Sequence, residues 1–138
     1  MKMDQFDGGL HAVLLLDADA IVRTSLAAYL RDCGLLVIEA SDTSEARTVL
    51  EQSGSRVDVV LCDTATIGAG ASFAFAQWVR SRDDAIPVLM AGTIDSAASL
   101  AGDLCAEGPD LSKPYDDPSL VVDAIRQALA RKDRKVPG

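Results

Sequence analysis

A chain of 138 residues is the size of one ordinary domain, able to bury roughly two thirds of the surface its unfolded form exposes without a metal or disulfide. Its formal charge of −8 would repel a polyphosphate backbone, which disfavours nucleic acid as the main partner and favours a basic protein or a metal cation. Three cysteines, Cys33, Cys62 and Cys105, have no CxxC spacing, which argues against a disulfide framework and a zinc site and fits reduced thiols in a cytoplasmic protein.

Four short apolar runs punctuate the first two thirds of the chain: AVLLL at 12–16, LLVI at 35–38, VDVVLC at 57–62 and IPVLMA at 86–91. Three are nearly unbroken, the pattern of strands covered on both faces in a parallel sheet. The first ends at Asp17, too short for a signal-peptide core or a membrane span.

Segments with helical spacing lie between the runs. Val22, Leu26, Tyr29, Leu30 and Cys33 share one face, with Gly34 placed for a left-handed cap. A second helix opens on Asp42 and Glu45 as a capping box, carries Ala46, Val49 and Leu50 inward and stops at Gly54. A third, from about Ser72 to Arg82, would bury Phe75, Trp78 or Val79. The stretch 93–108 is rich in Ala and Ser and predicts a short, loosely held helix. A brief fifth strand at 110–112 precedes Lys113 and Pro114. The last helix is capped by Asp117, starts on Pro118 and buries Leu120, Val121, Ala124, Ile125, Ala128 and Leu129.

Strand and helix therefore alternate five times, which predicts an α/β, doubly wound, five-stranded parallel sheet with helices on both faces. No linker or repeat divides 1–138, so we expect one domain with an ordered core of about 10–132 and frayed ends. In such sheets the functional crevice lies at the carboxyl ends of the strands. Asp17 and Asp19 follow the first strand, Asp63 the third, Gly92 and Thr93 the fourth and Lys113 the fifth. Carboxylates can hold a hard cation such as Mg²⁺, a lysine can neutralise phosphoryl oxygens, and a carboxylate so placed can be a phosphoryl acceptor. Taken singly, Asp17 and Asp19 read better as caps of the first helix and Asp63 as the start of a turn, and it is their joint arrangement that favours a site.

VLLLDADAIVR at 13–23, VDVVLCD at 57–63, IPVLMAG at 86–92 and LSKPY at 111–115, in that order, resemble the receiver domain of two-component response regulators, a flavodoxin-like (βα)₅ fold. The resemblance covers about 10–130. It implies a phosphoprotein of a phosphorelay, not an enzyme, in which Asp63 is the phosphoacceptor and Lys113 the charge partner of the phosphoryl group. Asp17, Asp63 and the backbone carbonyl of Ala65 would hold Mg²⁺. The implied partners are a histidine kinase or phosphotransfer protein and a downstream protein target, with no nucleic acid and no membrane; homodimerisation stays open.

The chain also departs from the family pattern. Ala18 stands where receivers carry a second acidic ligand, which weakens the metal site; Asp19 can lend an oxygen there or cap the first helix. Gly92 replaces the hydroxyl residue that ends strand four, and Thr93 is the nearest substitute. Asp110 replaces an aromatic residue on strand five. These departures keep open an alternative, a pseudo-receiver that binds partners without being phosphorylated. A nucleotide- or flavin-binding protein of the same fold is disfavoured, because Asp17 would repel a phosphate and no phosphate-cradling loop follows the first strand. No output domain is expected on the chain. Gly68 and Gly70 read as a flexible loop, Cys62 as a buried apolar thiol and His11 as an exposed end residue.

Overall fold

The computed structural model describes residues 12–53, 56–82 and 86–107, together with 122, 123, 125 and 127. Its elements run β1 (Ala12–Leu16), α1 (Ala20–Asp32), β2 (Leu36–Ala40), α2 (Thr43–Ser53), β3 (Val59–Asp63), α3 (Thr64–Ile67), α4 (Ala69–Arg80), β4 (Val88–Ala91) and α5 (Ile94–Glu107). The four described strands form one parallel sheet in the order β2-β1-β3-β4. This is the expected doubly wound α/β arrangement. The expected fifth strand, Lys113 and the start of the last helix lie outside the described residues, as does His11.

Burial explains why the strand runs are so apolar. Every residue of β1 and β3 is buried, and alternate side chains point to opposite faces. Val13, Leu15, Val59 and Leu61 pack with Leu26 and Leu30 of α1 and with Ala97, Ala98 and Ala101 of α5. Leu14, Leu16, Val60 and Cys62 pack with Ala46 and Leu50 of α2 and with Phe75 and Val79 of α4. Val122 and Ile125 are helical and buried against the α1–α5 layer. β2 lies beyond β1 and is half-exposed, Leu36 most of all.

The caps follow the sequence closely. Gly34 has φ of 94° after α1, a value that suits only glycine without strain. Asp42 Oδ1 accepts from the Glu45 amide, and Glu45 Oε1 reaches back to the Ser41 amide, closing the capping box one residue earlier than its usual form.

Three expectations change. α5 is neither short nor loose: its 14 residues press Ala97, Ala98 and Ala101 against the sheet, because small side chains let the helix approach closely instead of weakening it. The Gly68–Gly70 stretch is not a loop. α3 makes one turn directly after β3, Gly68 turns the chain with φ of 102°, and α4 starts at Ala69. Finally, Cys33 and Cys105 are joined by a disulfide, their Cα atoms 5.5 Å apart across 72 residues of sequence. Packing of α1 against α5 brings the two buried positions together, which no local spacing could announce.

Candidate functional site

Strand register builds the site. Leu16 pairs with Cys62, so the next residue on each strand, Asp17 and Asp63, stand side by side at the carboxyl edge. Asp63 pairs on its other side with Ala91, the last residue of β4. Both carboxylates are buried, Asp17 at 0% and Asp63 at 7% exposure. Two acids this deep and this close need compensation.

Asp17 obtains only part of it. Its Oδ1 accepts from the Asp19 amide at 2.8 Å and from the Thr66 hydroxyl at 3.0 Å. Its Oδ2 is buried without a hydrogen-bond partner. Burial, opposed by the Asp19 amide and reinforced by the neighbouring Asp63 carboxylate, pushes the Asp17 carboxyl up to about 6. Arg23 steadies the same corner: its guanidinium donates to the Asp17 backbone carbonyl at 2.8 Å and pairs with Glu39 at 3.0 Å.

Asp63 closes β3 and opens α3 at once. Its Oδ1 accepts from the Ala65 amide at 2.9 Å, as an N-cap does. Ala65 therefore meets the carboxylate through its N–H. The turn carries two threonines that sequence reasoning passed over. Thr66 Oγ1, besides donating to Asp17, accepts from the Ala18 amide at 3.0 Å, so a hydroxyl sits where the chain has no side-chain oxygen at position 18. Thr64 Oγ1 donates to the Ala91 carbonyl at 3.2 Å and lies 3.6 Å from where a Cβ on Gly92 would stand. The legible signal was two hydroxyl residues, at 64 and 66, flanking Ala65 beside a suspected acidic pocket.

The other candidates are placed as follows. Asp19 caps α1, its Oδ1 accepting from the Ile21 and Val22 amides. Thr93 is exposed, and its hydroxyl accepts from the Ser96 amide at the start of α5. Lys113 lies outside the described residues. Cys62 is buried behind the site against Ser72 at 3.5 Å, and burial pushes its thiol pKa up, as suits an inert core residue. Trp78 lies on the α2–α4 side, with the guanidinium groups of Arg47 and Arg82 at 5.1 and 4.9 Å from its ring centroid.

The donor set suits a hard cation. The orphaned Oδ2 of Asp17 beside the Asp63 carboxylate is an anionic pair that a divalent ion such as Mg²⁺ would relieve through oxygen ligands. The set is lean, since no group of three or more His, Cys, Asp or Glu side chains that could hold a metal exists among the described residues. In the same residues no helix is long and apolar enough to cross a membrane.

No family model matches the chain. It is 29% identical over 113 residues to a protein described as a probable transcriptional regulator, ycf29 of Cyanophora paradoxa, a match covering 80% of this chain and 52% of that protein. The chain thus spans about half the length of this curated relative. Among solved structures, a protein described as a putative response regulator from Chloroflexus aurantiacus J-10-fl is 28% identical with a TM-score of 0.54, covering 88% of this chain and 98% of that one. The chemotaxis response regulator CheY4 of Vibrio cholerae shares the fold at 22% identity and a TM-score of 0.54, covering 86% and 98%. The four ordered motifs, the doubly wound sheet with paired acids at its carboxyl edge, and these likenesses make the chain similar to the receiver domains of two-component response regulators.

Proposed function

We propose that the chain accepts a phosphoryl group on Asp63 and signals through protein contacts. The observation that carries this reading is the juxtaposition of Asp17 and Asp63, buried side by side with one Asp17 oxygen unpartnered. A folded protein does not keep such a pair for stability, because burying two adjacent carboxylates costs free energy that a capped, solvated turn would avoid.

Asp63 Oδ1 is fixed by the Ala65 amide, so attack would use Oδ2. A bond forms between Oδ2 and phosphorus, the bond from phosphorus to the donor's nitrogen or oxygen breaks, and the leaving group departs with the electron pair and takes up a proton. Asp17 and Asp63 would hold Mg²⁺, which supplies charge neutralisation when bound, and Lys113 would pair with the phosphoryl oxygens. The donor would be a histidine kinase or a phosphotransfer protein, and the output a protein target.

Ala18 supports a second reading. With a hydroxyl from Thr66 held at its amide in place of a carboxylate, the pocket binds metal weakly, and the domain then serves as a phosphorylation-independent interaction module. The two readings separate on incubation with a small phosphodonor and Mg²⁺, followed by intact mass. A gain of one phosphoryl group in the wild type, absent in Asp63→Asn, supports the first; unmodified wild type under conditions that label a standard receiver supports the second.

A further inference from the structure

A phosphoryl group on Asp63 would need hydrogen-bond donors for its oxygens as well as cations. Gly92, just past β4, offers no side chain. Its backbone does not require glycine, since among the described residues only Gly34 and Gly68 have positive φ. A Cβ at Gly92 would meet the Thr64 hydroxyl at 3.6 Å, ordinary contact, and no other atom nearer than 4 Å. The space a side chain at 92 would enter therefore borders on one from the opposite strand.

Resting on the reading of Asp63 as phosphoacceptor, we propose that Thr64 is the positioning residue for the phosphoryl group, its hydroxyl reaching from the end of β3 into the place that Gly92 leaves without one. Thr64 directly follows Asp63 and is half-buried. Its hydroxyl donates to the Ala91 carbonyl, and Ala91 is the β4 partner of Asp63. Rotation of the O–H about the Cβ–Oγ1 bond redirects the same donor from that carbonyl to a phosphoryl oxygen, with no covalent bond made or broken and the proton staying on Oγ1. Thr93 is exposed, and the Ser96 amide from which its hydroxyl oxygen accepts orients that side chain toward the start of α5.

The redirection also gives the phosphorylated state a readout. In the unmodified domain Thr64 ties α3 to the end of β4; in the modified one that tie is released, and the 92–93 segment loses its anchor at Ala91.

The test compares labelling rates with a small phosphodonor and Mg²⁺ for the wild type, Thr64→Val, Thr64→Ser and the double variant Thr64→Val/Gly92→Ser, each checked for an unchanged thermal midpoint. Loss of one charge-assisted hydrogen bond predicts labelling about tenfold slower in Thr64→Val. Thr64→Ser should label near the wild-type rate, and Gly92→Ser should restore most of the loss by returning a hydroxyl from the other strand. Equal rates in wild type and Thr64→Val overturn the role of Thr64 alone, as does a slow Thr64→Val that Gly92→Ser fails to rescue. A wild type that is never labelled overturns the phosphoacceptor reading, and this proposal with it.

Discussion

Thr66 donates its hydroxyl to Asp17 at 3.0 Å while accepting from the Ala18 amide at the same distance, bridging the end of β1 to the turn after β3. A neutral side chain thus organises the corner where the chain lacks a second carboxylate. The arrangement satisfies Asp17 Oδ1 and leaves Oδ2 without a hydrogen-bond partner.

Thr66→Val should uncouple that corner. It keeps the shape of the side chain but leaves the Ala18 amide unpaired and removes one of the two donors to Asp17 Oδ1. Urea denaturation should show a loss of about 1 kcal/mol, modest because water can reach this exposed turn, whereas Thr66→Ser should lose little.

Asp17 predicts a pH dependence of stability. Its carboxyl is raised from 3.8 to about 6 on folding, so the folded state binds the proton more tightly than the unfolded chain. That contribution is fully present below about pH 4 and is lost as the pH rises through about 6. The difference corresponds to about 3 kcal/mol at most. Asp17→Asn should therefore be more stable than the wild type at neutral pH, with a flatter stability profile between these limits in metal-free buffer. Added Mg²⁺ should narrow the gap by stabilising only the wild type.

Ala18→Asp should strengthen metal binding. Position 18 is exposed beside Asp17, so a carboxylate there adds a third oxygen donor without displacing core. Calorimetric titration should show Mg²⁺ affinity raised about tenfold or more. An unchanged affinity would mean that Thr66 blocks the added ligand, and combining the substitution with Thr66→Ala should then release it.

The disulfide gives a chemical count. Alkylation of denatured, unreduced protein should modify Cys62 alone, and prior reduction should expose three thiols. Closing a loop of 72 residues should stabilise the fold by about 4 kcal/mol on the chain-entropy account, so Cys33→Ser should lower the thermal midpoint clearly.

What the sequence made legible follows from how local each feature is. Unbroken apolar runs reported β1 and β3 because those strands are covered on both sides. The caps at Gly34 and Asp42 were legible because a cap is decided within four residues. The pairing of Cys33 with Cys105 depends on how α1 meets α5, and the bridge from Thr66 to Asp17 spans two crossovers; neither leaves a spacing to read. α5 was underrated because small residues look weak singly and gain their value from close approach to the sheet. Asp17 and Asp63 were legible as neighbours only once a parallel sheet was assumed, and register then placed them together.

In the proposed reading, the pairing of Asp63 with Asp17 is what makes Asp63 a phosphoryl acceptor. Intact mass after incubation with a small phosphodonor and Mg²⁺ tests it most directly. The account predicts one added phosphoryl group in the wild type, lost in Asp63→Asn and strongly reduced in Asp17→Asn. A wild type that stays unmodified while a standard receiver is labelled alongside it, or a label that persists in Asp63→Asn, would contradict it.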